Sequence, residues 1–211
     1  MNRRRLILST GNFNKVEEIK DILKDLPIDV LSKDDLGFKD LEIEEDGKTL
    51  EENALKKARA LSEKVEGIVI ADDTGLFVDA LDGAPGVYSA RYGGEEHDYN
   101  KNNIRLLKEL EGISMEKRSA YFKTVIAVVL ENGGTFIVEG KCDGVIGFEP
   151  KGNNGFGYDP LFIPKGYDKS FGELGLDVKN KISHRARALS GLKEQMCKML
   201  KGDACENICG K

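Results

Sequence analysis

The sequence predicts an α/β fold built on a mixed β-sheet, and three observations carry that prediction. Short apolar runs alternate with amphipathic helical segments between Leu6 and Ala71, the pattern of strand–helix–strand units. Two long β runs, Tyr121–Leu130 and Thr135–Ile146, are separated only by Glu131-Asn132-Gly133-Gly134 and read as a hairpin. A purely parallel, doubly wound sheet has no place for such a pair, so the sheet must be mixed.

Each element follows from its residues. Leu6, Ile7 and Leu8 form a buried strand, and Ser9, Thr10, Gly11 and Asn12 break it. From Asn14 the residues Val16, Ile19, Ile22, Leu23 and Leu26 recur at helical spacing. Ile28 to Leu31 is a second extended piece, followed by an acidic loop from Leu41 to Gly47. In TLEENALKKARALSEKV, Thr49 and Glu52 make a capping box, and Leu50, Ala54, Ala58, Leu61 and Val65 form the apolar stripe. Residues 68–71 are a buried strand that ends at Asp72-Asp73-Thr74-Gly75. A glycine-rich loop covers 82–94, a helix runs from Asp98 to Leu110, and a polar loop GNNGFGYDPLFIP follows the hairpin. The last helix carries Leu189, Leu192, Met196 and Met199 on one face. There are no repeats, and residues 1–200 read as one domain with a short flexible tail at 201–211.

With 40% hydrophobic residues the 211-residue chain has enough apolar material for a core. A net charge of -5 argues against a nucleic-acid polymer as partner, because neutralising many phosphates takes a basic face. It leaves room for a small polyphosphate, which needs only a local cluster of cations. No run approaches the roughly 18 apolar residues of a membrane span, and the apolar run after Arg5 is too short for a signal peptide, so a soluble cytoplasmic protein without membrane partners is expected. Cys142, Cys197, Cys205 and Cys209 do not make a disulfide scaffold, and the last three lack the histidine or C-x-x-C of a zinc clip; a reduced, frayed tail is expected.

Four places stand out chemically. The first is STGNFNK at 9–15, a strand–loop–helix turn. Unpaired N–H groups at a helix start bind phosphate readily, and Lys15 in the first turn opposes the helix dipole and calls for an anion. The same stretch also reads as an ordinary βα turn with a surface lysine. The second is a carboxylate set: Glu44 and Glu45 in one loop, Asp72 and Asp73 at a strand end. Such hard oxygen donors suit Mg²⁺, while Glu44 and Glu45 alone also read as a solvated acidic loop. In GFGYDPLF at 155–162 the glycines permit close backbone approach, and Phe156 or Tyr158 either lies against a planar base or packs into the core. The fourth is SHR at 183–185, with Lys179 and Lys181 upstream, which looks like an anion or base-edge reader; His97, in the charged run EEHDY, reads as a surface residue. The chain holds no G-x-x-x-x-G-K-[ST], G-x-S-x-G, H-E-x-x-H or G-x-G-x-x-G, which excludes P-loop, α/β-hydrolase, zincin and Rossmann dinucleotide chemistry.

Six pieces in order, STGNFNK (9–15), the acidic loop with ENALKKA (52–58), ADDTGLFVDAL (71–81), GAPGVYSARY (83–92), GFGYDPLF (155–162) and ISHRARAL (182–189), resemble the Ham1-like inosine triphosphate pyrophosphatase family. They span nearly the whole chain up to about residue 200; the tail matches nothing in the pattern. The resemblance implies an elongated mixed sheet with flanking helices forming two lobes around a central cleft, and a homodimer. It implies hydrolysis of ITP, dITP and XTP to the monophosphate and pyrophosphate, which cleanses the nucleotide pool. Thr10, Gly11, Asn12, Phe13, Asn14 and Lys15 would bind the triphosphate, with Asn53 and Lys57 one helical turn apart beside it. Glu44 and Asp73 would hold Mg²⁺, and Asp73 would act as general base on water. Thr74 would touch the substrate where relatives carry Ser. Phe156, Gly157, Tyr158 and Asp159 would form the base pocket, and Lys179, His184 and Arg185 would contact the purine.

A donor such as Arg185 or His184 aimed at O6 favours hypoxanthine and xanthine over adenine, whose amine would face a donor. Guanine also carries O6, and the sequence has no visible feature that excludes its 2-amino group. Two other readings stand beside this one. A house-cleaning pyrophosphatase of the Maf type is opposed by SHR and GFGYDP. A nucleotide-binding sensor that no longer hydrolyses should have lost Asp73 or Glu44, and both are present.

Overall fold

A computed structural model describes residues 3–95 and 98–200. His97 and the 201–211 tail, with Cys205 and Cys209, lie outside the described residues, so the expectations placed on them are not taken further.

The strands are β1 (Arg4–Leu8), β2 (Ile28–Ser32), β3 (Ile68–Val78), β4 (Pro85–Gly86), β5 (Ser119–Val129), β6 (Thr135–Ile146) and β7 (Phe162–Pro164). The helices are α1 (Phe13–Leu23), α2 (Leu50–Ser62), α3 (Tyr99–Glu109), α4 (Leu176–Ile182) and α5 (His184–Leu200). One sheet runs in the order β2-β1-β3-β5-β6-β7, with β4 paired to β3. β1 is parallel to β2 and β3, whereas β3–β4 and β6–β7 are antiparallel, so the sheet is mixed as the sequence predicts.

The helix starts obey their caps. Asn12 accepts the Lys15 N–H at the head of α1, one residue before the expected start. Thr49 accepts the Glu52 N–H at 3.1 Å, and the Glu52 carboxylate returns to the Lys48 N–H at 2.7 Å, one residue ahead of the cap. Asp98 caps α3 through the Lys101 N–H at 3.0 Å.

One boundary departs from expectation. Asp72-Asp73-Thr74-Gly75 reads as a turn, yet β3 runs straight through it to Val78. Parallel pairing with β1 ends at Leu8↔Ile70, but beyond it Leu76 and Phe77 pair with Gly86 and Pro85 of β4. A Cβ on Gly75 would stand 2.5 Å from the Gly86 carbonyl oxygen, so this glycine allows close approach of β4 rather than a bend. Asp72 and Asp73 therefore lie just past the end of β1, within a continuing strand.

The chain divides into two compact units. Among the described residues one comprises 3–73, 125–140 and 187–200; the other comprises 74–95, 98–124 and 141–186. β3, β5 and β6 each give residues to both. The core of the first gathers Leu6, Leu8, Ile19, Leu23, Ile70, Ile126, Leu189, Leu192 and Met196. Met199, expected on the same face of α5, is 36% exposed because the helix outruns the core there. Cys197 belongs to this core rather than to a frayed tail, since it follows Met196 on the buried side of α5.

The second unit packs Leu76, Val78, Leu106, Leu110, Phe122, Phe162 and Phe171. Arg118, 3% exposed, donates to the carbonyls of Ile146 (3.0 Å), Gly147 (3.1 Å) and Leu110 (3.4 Å), which fastens the end of α3 to the end of β6. Burial lowers its affinity for a proton. The Tyr92 hydroxyl donates to Glu109, and Arg105 bonds the same carboxylate. Burial, then the Glu109 hydrogen bond, pushes the Tyr92 phenol up to about 12. The folded state thus holds this proton more tightly than the unfolded chain, whose tyrosine titrates near 10. Tyr92 contributes its full share of stability below pH 10 and loses it as pH climbs toward 12. Urea midpoints measured from pH 8 to 11.5 should fall more steeply for the wild type than for Tyr92→Phe, with the gap between the two curves constant below about pH 10 and changing in the direction of lost wild-type stability above it.

Candidate active site

Two groups of functional side chains are built, one in each unit. In the first, β1 ends at Leu8, and the Ser9 N–H continues onto the Ile70 carbonyl at 2.7 Å. The Ser9 hydroxyl donates to the backbone oxygen of Lys57 at 3.0 Å, tying the middle of α2 to the end of β1. α2 buries Leu50, Ala54, Ala58 and Leu61, and the same face carries two polar residues one turn apart, Asn53 and Lys57. Lys57 Nζ donates to Asp73 Oδ1 and to Glu45 Oε1, both at 3.0 Å. Lys15 Nζ, from the first turn of α1, lies 3.1 Å from Asp72. Three carboxylates and two ammonium groups are thus gathered where β3 passes the end of β1, which leaves one negative charge in excess.

Burial disfavours charge on Lys57, but Asp73, Glu45 and Asp72 outweigh it, and its pKa rises. Burial, helped by the neighbouring Glu45 carboxylate, raises the Asp73 carboxyl above its ordinary range against the pull of Lys57 and Lys15. A carboxylate with a raised pKa is the stronger proton acceptor.

The acidic loop reaches this point with a parity the sequence reading did not have. Side chains from Glu42 to Gly47 alternate between exposed and half-buried, as in any extended segment. Glu45 therefore faces Lys57, and Glu44, the expected metal ligand, faces solvent. Asn53 sets the register: its Oδ1 accepts the Gly47 N–H at 2.8 Å, so it holds the loop. In the sequence Asn53 is marked by the family resemblance and by its place one helical turn before Lys57.

The STGNFNK turn lies beside the same group. Thr10 Oγ1 accepts the Asn12 N–H at 3.2 Å. Phe13 is 73% exposed, and Gly11 and Asn14 are also at the surface. Of these residues Lys15 is the one in contact with a site carboxylate.

Among the described residues no three His, Cys, Asp or Glu side chains form a closed metal cage. Mg²⁺ asks for less, namely one or two carboxylates together with waters and substrate phosphates. Asp73 Oδ2 is buried without a hydrogen-bond partner among the described residues while Oδ1 is taken by Lys57. That open oxygen, with the Glu45 carboxylate joined to it through Lys57, fits a hard cation.

The second group surrounds Phe156. Lys179 Nζ sits 4.6 Å from the centroid of its ring and the Arg185 guanidinium carbon 5.5 Å. Lys179 also donates to Asp159 at 2.7 Å, in a pair whose side chains are 4% and 3% exposed. Asp159 Oδ2 in turn accepts the Phe156 N–H at 2.8 Å, so the carboxylate shapes the loop. Arg185 Nη2 reaches Thr74 Oγ1 at 3.5 Å, and Thr74 bonds Thr124 at 2.8 Å. His184 stacks on Phe122, its ring centroid 4.5 Å away. Tyr158 is buried and spends its hydroxyl on the Ser89 carbonyl at 2.9 Å, as a core residue. The contacts named for the first group lie within residues 9–73, and those named for the second within 74–185.

The Ham1 family profile matches residues 6–195. A dITP/XTP pyrophosphatase of Thermoanaerobacter pseudethanolicus is 57% identical over 196 residues, 93% of this chain and 98% of that protein. The Bacillus subtilis dITP/XTP pyrophosphatase is 51% identical over 88% of this chain and 93% of its own length. Among solved structures, the Staphylococcus aureus Ham1 protein superimposes with a TM-score of 0.84 at 36% identity, covering 93% of this chain and 100% of that one. With its profile matched from the first strand into the last helix and relatives similar over nearly their full lengths, the chain belongs to the Ham1 family.

Proposed function

We infer that this chain is a Mg²⁺-dependent pyrophosphatase that hydrolyses the deaminated purine nucleotides ITP, dITP and XTP to the monophosphate and pyrophosphate. The observation that carries the reading is the buried Asp73–Lys57 pair with Glu45 and Lys15 around it. A triphosphate presents several negative charges, and a site with two ammonium groups beside carboxylates for a cation has matching chemistry. Likeness to proteins named dITP/XTP pyrophosphatase supports the choice of substrate.

Asp73 and Glu45 are the residues that would hold Mg²⁺, which when bound neutralises phosphate charge. Asp73, its basicity raised by burial, takes the proton from the water that attacks the α-phosphorus. Lys57 and Lys15 counter the charge that builds on the departing pyrophosphate, assisted by the N-terminal turn of α1. Residues Thr10 to Asn14 supply that turn, and Asn53 contributes by holding the acidic loop. Products are the nucleoside monophosphate, pyrophosphate and one proton. On the base side Phe156 offers a ring face, and Lys179, Arg185 and His184 offer donors to a purine that carries O6. Thr74 contacts the substrate through its hydroxyl, and Gly157, Tyr158 and Asp159 frame the pocket.

Among the described residues no helix is long and apolar enough to cross a membrane. The reading sets the enzyme in the cytoplasm, where nucleoside triphosphates are consumed, as a homodimer that needs no nucleic-acid polymer. Light scattering should give twice the mass of one 211-residue chain, and a monomer would remove the dimer.

Pyrophosphate release with Mg²⁺ from ITP, XTP, dITP, GTP and ATP tests the function directly. Fast turnover of the first three and slow turnover of the last two is expected, and Asp73→Asn should lower kcat by about 10²- to 10⁴-fold while remaining folded. Even activity on all five would remove the deaminated-purine role. Release from modified pyrimidine triphosphates alone would favour Maf-type cleansing, and binding without release would favour a sensor. Arg185→Ala should raise KM for ITP about 10- to 100-fold with far less effect on ATP, since it deletes a donor to O6; an equal loss on both nucleotides would sink the base-reading role.

A further inference from the structure

Helix α3 lies outside every motif so far given a function, yet one face of it meets the Phe156 loop twice. Tyr99 and Asn103 are one turn apart and so share that face. The Tyr99 ring lies 6.0 Å from the Phe156 ring, centroid to centroid. Asn103 Nδ2 donates to the carbonyl oxygen of Gly157 at 3.1 Å, across 54 residues of sequence. The two contacts bracket Phe156, one on its side chain and one on the backbone that follows.

Gly157 is in the left-handed region at φ +65 and has no side chain to pack. Such a residue is the least restrained in a chain, so the direction of its carbonyl has to be held from outside. On the other flank Asp159 accepts the Phe156 N–H and is itself fixed by Lys179. The loop is thereby clamped at the amide before the ring by Asp159 and at the carbonyl after it by Asn103. Asn103 is 9% exposed, and its Oδ1 is buried with no partner among the described residues. An unpaired buried acceptor weakens a fold, so packing alone gives no reason for an amide here; a leucine would fill the place without that burden.

We propose that Asn103 is a positioning residue for base recognition, holding the Gly155–Asp159 loop so that the Phe156 ring is presented to the purine. It acts through Gly157 rather than on the nucleotide. The proposal rests on the pyrophosphatase reading for its kinetic consequence but not for its structural one.

Two measurements on Asn103→Leu decide it. Hydrogen exchange of the ligand-free protein should be about tenfold faster in a peptide covering 152–160, with exchange in the β5 segment 122–128 unchanged. In turnover of dITP with Mg²⁺, KM should rise about tenfold while kcat stays within twofold. Wild-type exchange in 152–160 overturns the proposal, as does faster exchange with an unchanged KM. A drop in thermal stability with KM at the wild-type value would make Asn103 a packing residue of α3. Asn103→Ala serves should the leucine fail to fold. If the wild-type chain releases pyrophosphate from no nucleotide, the function reading fails by itself, and the exchange result still decides whether Asn103 holds the loop.

Discussion

Lys57 meets Asp73 at 3.0 Å where both side chains are about nine-tenths buried, and much of the first unit is arranged to make that contact possible. An unpaired charge in such a place is costly, so each residue offsets part of the other's burial, and Glu45 shares the pairing of Lys57. The surrounding structure reads as the means of bringing them together. β1 stops at Leu8, which leaves the next residues of β3 without a parallel neighbour and open to side chains. Ser9 then fastens the backbone of α2 at Lys57 itself. Asn53, one turn earlier on α2, catches the acidic loop at Gly47 and thereby turns Glu45 inward. Each of these bonds loses its purpose if Lys57 is not aimed at β3.

The second unit repeats the device in a tighter form. Lys179 and Asp159 are more deeply buried than Lys57 and Asp73, and the carboxylate also caps a backbone N–H of the loop it sits in. That pair is therefore tied to loop shape, with the lysine ammonium left against the ring of Phe156. The Lys57 pair has a different balance, because Asp73 keeps one buried oxygen without a partner among the described residues. One site is closed and shapes a surface, while the other is left one ligand short.

Periodicity made much of the fold legible. Helical spacing located α1, α2, α3 and α5, and continuous or alternating apolar runs located β1, β2, β5 and β6, because those elements bury one face against a core and the face shows in the residue order. What was not legible depended on partners distant in sequence. Asp72-Asp73-Thr74-Gly75 carries turn residues, yet it is held extended by its sheet neighbours, and Gly75 is there for the close passage of β4. β4, β7 and α4 are too short to show a period. Glu44 and Glu45 are chemically equal as letters, and only the anchoring of Gly47 by Asn53 decides which one faces Lys57. Asn103 had no signal at all, since its contact spans 54 positions and it belongs to no motif. By contrast Lys15, Asp73, Lys179 and Arg185 stand out as charges at a helix start, a strand end and a cationic cluster, whereas Lys57 enters through the family resemblance.

Those charges argue for their own purpose. Replacing a buried ion pair by apolar side chains of similar volume is often neutral or stabilising, by about 1–4 kcal/mol. The stripe of α2 would accept such a change at Lys57, since Leu50, Ala54, Ala58 and Leu61 already form an apolar face around it. Stability alone would thus favour an apolar residue opposite β3. The energy given up by keeping Lys57, Asp73 and the open carboxylate oxygen is comparable with what one good charge-assisted contact returns when an anion or a cation arrives. Preorganised charge of this kind needs no reorganisation at the moment of reaction, which is the condition under which electrostatics contributes most to rate. On the proposed reading the buried lysine serves the reaction, and the fold around it keeps the charge in place between turnovers.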